Sequence, residues 1–431
     1  MRILAHGATD VGRVRQLNED HFLVDDELDL YVVCDGMGGH AAGDVASKTT
    51  AATVHQYVTE RRAVLDAVVR GDSAPDEIAS ILSHAIQSAS AAVHDMGVQD
   101  PKRRGMGTTC VALVVVGGKG VLGHVGDSRL YLSRSGQVYQ LTEDHTFVQE
   151  ALKRGMITPE QAVDNPHANI VTRAVGPQAS VLVDTLVFDI LPGDTLLLCS
   201  DGLHNYVNDA AELQAAMGEV ALETMTNGLI NKANERGGAD NITTLSLRAT
   251  VQEQDKKKQT IRALRVNAEL DALHHIILFS ELDMKQLVKV GNKFEHRDYP
   301  ADQVVVTEGD VAETLFVIIK GAARVTRNGA DIAMLRAGDH FGEMALLSRR
   351  PRSATVRTLK DSQLLALDRE SFYELMSTDP VIAAKFLWRL AQGLSLRLDD
   401  IYLLQDRQEA DGRPGRETRN YGIFPSPFDG R

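Results

Sequence analysis

The chain has 431 residues, a formal net charge of −13 at pH 7 and 43% hydrophobic residues, which suffices for two or three domains of ordinary size. The acidic balance argues against nucleic acid as a partner, because phosphate backbones are bound by clustered Lys and Arg. The sequence contains no stretch of about 18 apolar residues and does not begin with a signal-peptide pattern, so we expect a cytoplasmic protein without a membrane partner.

In the first 250 residues, acidic segments stand at the ends of apolar runs. The segments are Asn18-Glu19-Asp20, Asp35-Gly36, Gly126-Asp127-Ser128-Arg129, Ser200-Asp201-Gly202 and Asp240-Asn241. Residues 30–34, 121–125, 195–199 and 242–247, which adjoin four of them, are predicted to be buried strands. A single Asp-Gly pair after a strand is explained by a turn. Together the five segments indicate carboxylates that are aimed from rigid strand ends at one place.

Carboxylates gathered at one end of a sheet repel each other unless cations lie among them. Oxygen ligands favour Mg²⁺ or Mn²⁺ over Zn²⁺, and the sequence has no Cys/His spacing of the zinc type. We therefore expect a site for two ions roughly 3.5–4 Å apart, which would activate a bridging water for attack on phosphorus. The predicted chemistry is phosphoester hydrolysis.

The motifs that carry these acids resemble the bacterial branch of the metal-dependent protein phosphatases, the type 2C family, over residues 1 to about 250. They include Thr9-Asp10-x-Gly12-x-Val14-Arg15, Val33-Cys34-Asp35-Gly36-Met37-Gly38-Gly39-His40, Gly107-Thr108-Thr109, Leu141-Thr142-x-Asp144-His145, Thr172-Arg173-Ala174-Val175-Gly176 and Asp240-Asn241-Ile242-Thr243. The resemblance implies an α/β (α+β) fold class with a four-layer α-β-β-α sandwich. It also implies hydrolysis of phosphoserine and phosphothreonine on proteins that are targets of Ser/Thr kinases.

The same resemblance implies a role for each acid. Asp35 bridges two ions and the Gly36 carbonyl binds one of them, while Asp201 and Asp240 bind the other. Glu19 and Asp20 act through bound water, and Asp127 with Asp201 holds a third, weaker ion.

Arg15 stands where the family places its phosphate-binding arginine, and a planar guanidinium suits a phosphate dianion. Some relatives have a general-acid His at the position of Met37. His40 and a metal-associated water are the alternative proton donors here, and water is the simpler one.

Residues 144–172 form a charged insertion, for which two interpretations are open: a flap that shapes substrate access, as in relatives, or an ordinary surface insertion.

A polar run at 252–259 marks the expected domain boundary, and residues 260–275 are predicted to be helical. Short strands separated by Gly and Asp turns follow, and Asn328-Gly329 is a strong hairpin signal. We expect a small antiparallel β-roll with flanking helices. The predicted organisation is a phosphatase domain at 1–250, a charged helical linker at 251–271, a second domain at 272–404 and a disordered tail at 405–431.

The second domain contains Phe341-Gly342-Glu343-Met344-Ala345-Leu346-Leu347, followed by Pro351-Arg352-Ser353-Ala354. A short helix beginning there would point free N–H groups at an anion. A buried Arg–Glu ion pair is the alternative interpretation for Arg352 and Glu343.

This string is similar to the phosphate-binding cassette of cyclic-nucleotide-binding domains, and the similarity runs from about 278 to 404. It implies that Gly342, Ala345 and Arg352 hold the cyclic phosphate and that Glu343 holds the ribose 2′-hydroxyl. Ser353 favours cAMP over cGMP, although its hydroxyl could also serve a guanine.

Residues 381–404 are predicted to form a helix whose apolar seam packs on its own barrel or on a second copy in a homodimer. We expect the nucleotide to alter phosphatase turnover allosterically. The alternatives are a constitutive phosphatase with a passive docking or dimerisation module, and an inactive phosphatase fold that serves for binding.

Overall fold

The computed structural model describes residues 1–38, 42–163, 165–167, 170–218, 221–392 and 395. The chain divides into two compact units, unit 1 at Met1–Leu264 and unit 2 at Arg265–Arg431. None of the helices in these described ranges is long and apolar enough to cross a bilayer. The predicted disordered tail, His40 and most of the apolar seam after residue 392 lie outside the described residues.

Unit 1 is built on two antiparallel sheets. The first has the strand order β1-β12-β11-β8-β9 and the second the order β10-β7-β6-β3-β2. The first sheet comprises β1 (Arg2–Asp10), β8 (Arg129–Arg134), β9 (Gln137–Gln140), β11 (Thr195–Cys199) and β12 (Ile242–Thr250). The second comprises β2 (His21–Asp25), β3 (Leu30–Cys34), β6 (Cys110–Val116), β7 (Lys119–Val125) and β10 (Asp184–Asp189). Strand β3 lies against β11 and β12, so the sheets face each other.

Helices cover the outer face of each sheet. The second sheet carries α1 (Ala42–Thr59), α2 (Arg62–Arg70) and α3 (Pro75–Gln99), and the first carries α6 (Asp201–His204), α7 (Ala210–Ala216) and α8 (Leu222–Glu235). Buried apolar side chains fill both helix–sheet interfaces. This arrangement confirms the predicted α-β-β-α sandwich.

Smaller elements complete unit 1. Strands β4 (Gly36–Met37) and β5 (Gly107–Thr108) pair beside Asp35. The insertion at 144–172 contains α4 (Phe147–Lys153) and α5 (Pro159–Val163). Its ends are joined by the bridge between Thr146 and Val171. Helix α9 (Lys256–His275) follows β12, and the boundary between the two units falls within it.

Unit 2 contains two further antiparallel sheets, in the orders β13-β20-β15-β18 and β14-β19-β16-β17. The strands are β13 (Glu295–Tyr299), β14 (Val304–Val306), β15 (Thr314–Lys320), β16 (Ala322–Arg327), β17 (Ala330–Arg336), β18 (His340–Phe341), β19 (Thr355–Thr358) and β20 (Ser362–Asp368). Asn328 and Gly329 take φ values of 50° and 77° between β16 and β17, which confirms the predicted hairpin. The predicted β-roll is likewise confirmed.

The helices of unit 2 are α10 (Met284–Gly291), α11 (Met344–Leu347) and α12 (Arg369–Thr378), and residues 380–392 are also helical. Phe386 is buried against Phe279 and Phe372, which places it in the core of this unit. Leu390 packs on the same core, whereas Leu387 is exposed. In this described part, the helix therefore packs on its own domain.

Candidate functional site

The strand order of unit 1 brings the predicted acidic segments to one end of the sandwich. Asp35 follows β3, Asp127 follows β7, Asp201 opens α6 after β11, and Asp240 precedes β12. Asp201 and Asp240 lie at neighbouring strand ends, because β11 pairs antiparallel with β12 from Thr195 opposite Arg248 to Cys199 opposite Thr244. Asp35 lies near enough to these acids for the charges of Asp127, Asp201 and Asp240 to raise its pKa. The predicted clustering of carboxylates is thus present in the structure.

The carboxyl groups raise one another's pKa. Burial, followed by the charges of Asp20 and Asp201, raises the pKa of Asp35 well above its ordinary value. The pKa of Asp20 rises to about 7 through burial, against the hydrogen bonds that its Oδ2 accepts from Thr243 at 2.6 Å and Ser200 at 2.7 Å. Burial and the charge of Asp201 likewise raise the pKa of Asp127 to about 7. Negative charge is therefore concentrated here beyond what the protein's own donors balance.

The oxygen atoms fit the metal ions that the sequence implied. Within the described residues, Asp20 Oδ1 and Asp201 Oδ1 are buried without a hydrogen-bond partner. Over the same ranges no group of three or more His, Cys, Asp or Glu side chains is placed so that it could hold a metal ion by itself. Mg²⁺ and Mn²⁺ sites often complete their coordination with water and backbone carbonyls. An open cluster of carboxylates suits such ions better than it suits Zn²⁺.

Glu19 and Gly36 lie beside this cluster at the start of α1. Glu19 Oε1 accepts from the Gly43 N–H at 3.1 Å, and its carbonyl accepts from Ser47 Oγ at 2.6 Å. A Cβ on Gly36 would approach the Gly43 carbonyl oxygen within 2.3 Å and that of Glu19 within 2.5 Å. Gly36 is therefore required by close backbone packing.

Arg15 reaches across to the acids from the segment after β1. Its Nη2 donates to Asp240 Oδ2 at 2.7 Å, and this hydrogen bond raises the pKa of the guanidinium. The side chain remains 51% exposed, so its other donors are accessible from solvent. The structure thus brings the predicted phosphate ligand and a predicted metal ligand into contact. Met37, which stands at the position of the general-acid His of some relatives, lies in β4 two residues after Asp35.

Three buried histidines, for which the sequence motifs predict no role, hold the backbone around Asp127. The Gly126 N–H donates to His145 Nδ1 at 3.0 Å, His204 Nε2 donates to the Asp127 carbonyl at 2.9 Å, and His124 Nε2 donates to the Ser128 carbonyl at 2.9 Å. Burial lowers the pKa of His204 to about 3, so it is neutral. Each of these histidines lies within or next to one of the acidic motifs, and this position was the available signal for a role. The spacing of the motifs does not show which backbone group each histidine contacts.

The base of the 144–172 insertion is tied to the same region. Arg129 binds Asp144 with two nitrogens, Nε at 2.9 Å and Nη2 at 2.6 Å. The Thr172 N–H donates to the His145 carbonyl at 2.7 Å, and Arg173 pairs with Asp184 at 2.8 Å. These contacts anchor both ends of the insertion close to Asp127. The choice between a substrate flap and a plain surface insertion stays open.

In unit 2, the predicted cassette is assembled around Arg352. Its Nη2 donates to the Thr314 carbonyl at 2.9 Å, while Nη1 is buried with no partner within the described residues. Burial lowers the pKa of this guanidinium. Gly342 has φ of 85°, and a Cβ there would come within 2.4 Å of Arg352 Nη1. One buried nitrogen of a half-buried arginine, unpaired in the described part of the chain, therefore lies beside a glycine that leaves it room.

The other cassette residues surround α11. Glu343 directly precedes this helix, Ser353 is exposed, and the Ala345 N–H donates to the Gly342 carbonyl at 2.9 Å. Arg369, which belongs to none of the sequence motifs, donates to the carbonyls of Ala345 at 2.7 Å and Ser348 at 2.8 Å. It thereby links the start of α12 to the cassette. No local pattern in the sequence identifies this contact.

Comparison with known proteins supports both halves of this description. Residues 12–242 match the protein phosphatase 2C family, and residues 296–379 match the cyclic nucleotide-binding domain. A serine/threonine phosphatase stp of Listeria innocua is 38% identical over 251 residues, which cover 58% of this chain and 96% of that protein.

Solved structures give the same result for unit 1. The serine/threonine phosphatase PstP/Ppp of Mycobacterium tuberculosis aligns with a TM-score of 0.52 and 32% identity, over 58% of this chain and 100% of that one. The serine/threonine phosphatase Stp1 of Staphylococcus aureus aligns with a TM-score of 0.52 and 31% identity, over 58% of this chain and 96% of that one.

Proposed function

The chain belongs to the protein phosphatase 2C family and is a serine/threonine protein phosphatase, and on that premise we propose that its activity depends on divalent metal ions held by the acidic cluster of unit 1. The observation that carries this proposal is the set of buried carboxylates with raised pKa values, two of whose oxygens have no donor in the described protein. The predicted catalytic residues are Arg15, Asp35, Asp201 and Asp240.

Mn²⁺ or Mg²⁺ bound there would supply the Lewis acidity that activates water and stabilises charge on the phosphoryl oxygens. We assign Asp35, the Gly36 carbonyl, Asp201 and Asp240 to two ions, and Asp127 to a third. Glu19 and Asp20 act through water. Ser200 and Thr243 hold Asp20 through Oδ2, and its Oδ1 is buried without a hydrogen-bond partner within the described residues.

Arg15 binds the substrate phosphate in this proposal. A guanidinium offers donors in a fixed plane that matches two phosphate oxygens. The contact between Nη2 and Asp240 leaves the remaining nitrogens for the ligand and orients the plane. The substrates are proteins phosphorylated on Ser or Thr by kinases. Of the two candidate proton donors to the departing oxygen, His40 and a water associated with the metal ions, the water is the simpler one.

The test is a phosphatase assay on a phosphothreonine peptide with the full chain, run in excess chelator and then across a Mn²⁺ titration. We expect activity only with metal. Thermal unfolding measured in parallel should show a Mn²⁺-dependent rise in melting temperature that Asp35→Ala reduces. Equal activity in chelator and in Mn²⁺ would refute the metal assignment.

For unit 2, we propose that a cyclic nucleotide, cAMP in preference to cGMP, binds the cassette and changes the phosphatase rate. The unpartnered Arg352 Nη1 supports an anionic ligand, since an unpaired buried donor costs free energy that a phosphate oxygen would recover. In this proposal Gly342 and Ala345 line the phosphate, Glu343 binds the 2′-hydroxyl, and Ser353 contributes to base preference. We also propose that the phosphatase domain spans 1–250, that the nucleotide-binding domain spans 272–404, and that residues 251–271 form the linker between them.

Coupling of typical size, about 1–3 kcal/mol, would change turnover about 5- to 150-fold. Titrating the phosphatase rate with cAMP and with cGMP, alongside calorimetric binding, tests it. A flat rate with measured binding would favour the alternative, a constitutive phosphatase whose second unit is a passive docking or dimerisation module.

A further inference from the structure

Asn241 follows Asp240 directly, and its side chain hydrogen-bonds to three backbone groups of the segment 11–19. Its Nδ2 donates to the Val11 carbonyl at 3.0 Å and to the Leu17 carbonyl at 2.9 Å. Its Oδ1 accepts from the Glu19 N–H at 2.8 Å. The side chain is 5% exposed, so water does not compete readily for these contacts. One buried amide thus binds the segment at three points.

The segment between the Val11 and Leu17 contacts carries Arg15. Its side chains from Arg13 to Leu17 are exposed, so little packing of their own holds them. The backbone has two further fixed points, where the Arg13 N–H donates to the Gly238 carbonyl at 2.7 Å and the Gly12 N–H donates to Asp10 Oδ1 at 2.8 Å. Both of these lie before Arg15. After Arg15, the Leu17 carbonyl is held by Asn241.

From this geometry we propose that Asn241 is a positioning residue that aligns Arg15 with the substrate phosphate. The proposal rests on the role assigned to Arg15 above. An asparagine side chain has two N–H donors and a carbonyl acceptor, which are the groups that two carbonyls and one N–H require. Asn241 directly follows Asp240, so the residue that contacts Arg15 and the residue that holds its loop are neighbours in the chain.

Asn241→Asp is the sharpest perturbation. It keeps the shape and the acceptor for Glu19, but it turns a carboxylate oxygen toward the carbonyls of Val11 and Leu17. A displacement of about 1 Å at a catalytic group can cost about 100-fold. We expect the inhibition constant of inorganic phosphate and the KM for a phosphothreonine peptide to rise about 10- to 100-fold. Asn241→Ala, which adds no charge, should act in the same direction.

The control is Thr226→Val in the same unit. Thr226 Oγ1 is a fully buried group that donates to the Leu222 carbonyl at 2.8 Å and lies 2.9 Å from Ser246 Oγ, away from the acidic cluster. This variant should lower the melting temperature while the phosphate inhibition constant stays at the parent value. It separates loss of a buried hydrogen bond from loss of alignment.

A double-mutant cycle with Arg15→Ala decides the matter. If Asn241 acts through Arg15, Asn241→Asp changes the phosphate inhibition constant less than threefold once Arg15 is absent. Multiplicative effects of the two substitutions would overturn the inference. If Arg15→Ala weakens phosphate binding and both Asn241 variants keep the parent constant, the inference is wrong and the role of Arg15 stands. If Arg15→Ala itself changes nothing, the inference fails together with that role.

Discussion

Removing one charge from the acidic cluster should stabilise the metal-free protein, and Asp127→Asn is the clearest case. Asp127 is 6% exposed, and burial followed by the charges of Asp201 and Asp144 raises its pKa from 3.8 to about 7. The folded state therefore binds this proton more tightly than the unfolded state. The associated stability is complete below about pH 4 and is lost as the pH rises to about 7.

The magnitude follows from the two pKa values. A rise from 3.8 to about 7 corresponds to about 4 kcal/mol at pH 8, which is the largest gain that a neutral amide could return. Because the neighbouring acids share the repulsion, we expect a gain of about 1 to 4 kcal/mol. For a unit of this size each kcal/mol moves the melting temperature by about 2–4 °C.

The assay is thermal unfolding of the full chain in excess chelator at pH 8 and at pH 5. Asp127→Asn should melt higher than the parent at pH 8, and the difference should shrink at pH 5, where the parent carboxyl is protonated. Asp66→Asn, at an exposed acid of α2, is the matched control and should show no pH-dependent difference. A difference that is equal at both pH values, or a less stable Asp127→Asn at pH 8, would refute the reasoning.

Three further substitutions test other parts of the structure. Asp35→Ala should abolish Mn²⁺-dependent hydrolysis of a phosphopeptide, and retained turnover would contradict the site assignment. Arg352→Ala should weaken cAMP binding about 10- to 150-fold in calorimetry, since hydrogen bonds to charged groups contribute about 1.5–3 kcal/mol. The control Arg357→Ala, on the exposed side of β19, should leave cAMP binding unchanged. Arg129→Ala leaves Asp144 largely buried without its bidentate partner and should cost about 3–5 kcal/mol in denaturant unfolding; a loss below about 1 kcal/mol would show that the pair does not anchor the insertion.

Local patterns were sufficient for much of the fold. The strands β3 and β11 have the predicted bounds, because apolar runs that end in Gly or Asp turns are short-range signals. Strand β13 was missed because its sequence, EHRDY, is largely exposed and has no apolar alternation. Its strand conformation comes from pairing with β20, whose residues lie more than 60 positions away.

The sequence by itself determined the kind of chemistry available: carboxylates at strand ends in unit 1, and Arg352 with the Gly342 cassette in unit 2. Only the tertiary structure decided which backbone groups the supporting side chains bind. Asn241 binds backbone groups of the 11–19 segment, and His204 binds the Asp127 carbonyl. The reason is that these contacts join residues separated by 77 to 230 positions. Such contacts depend on the register of β1 against β12 and of β11 against its neighbours, and a register is a property of the assembled sheet that no single segment carries.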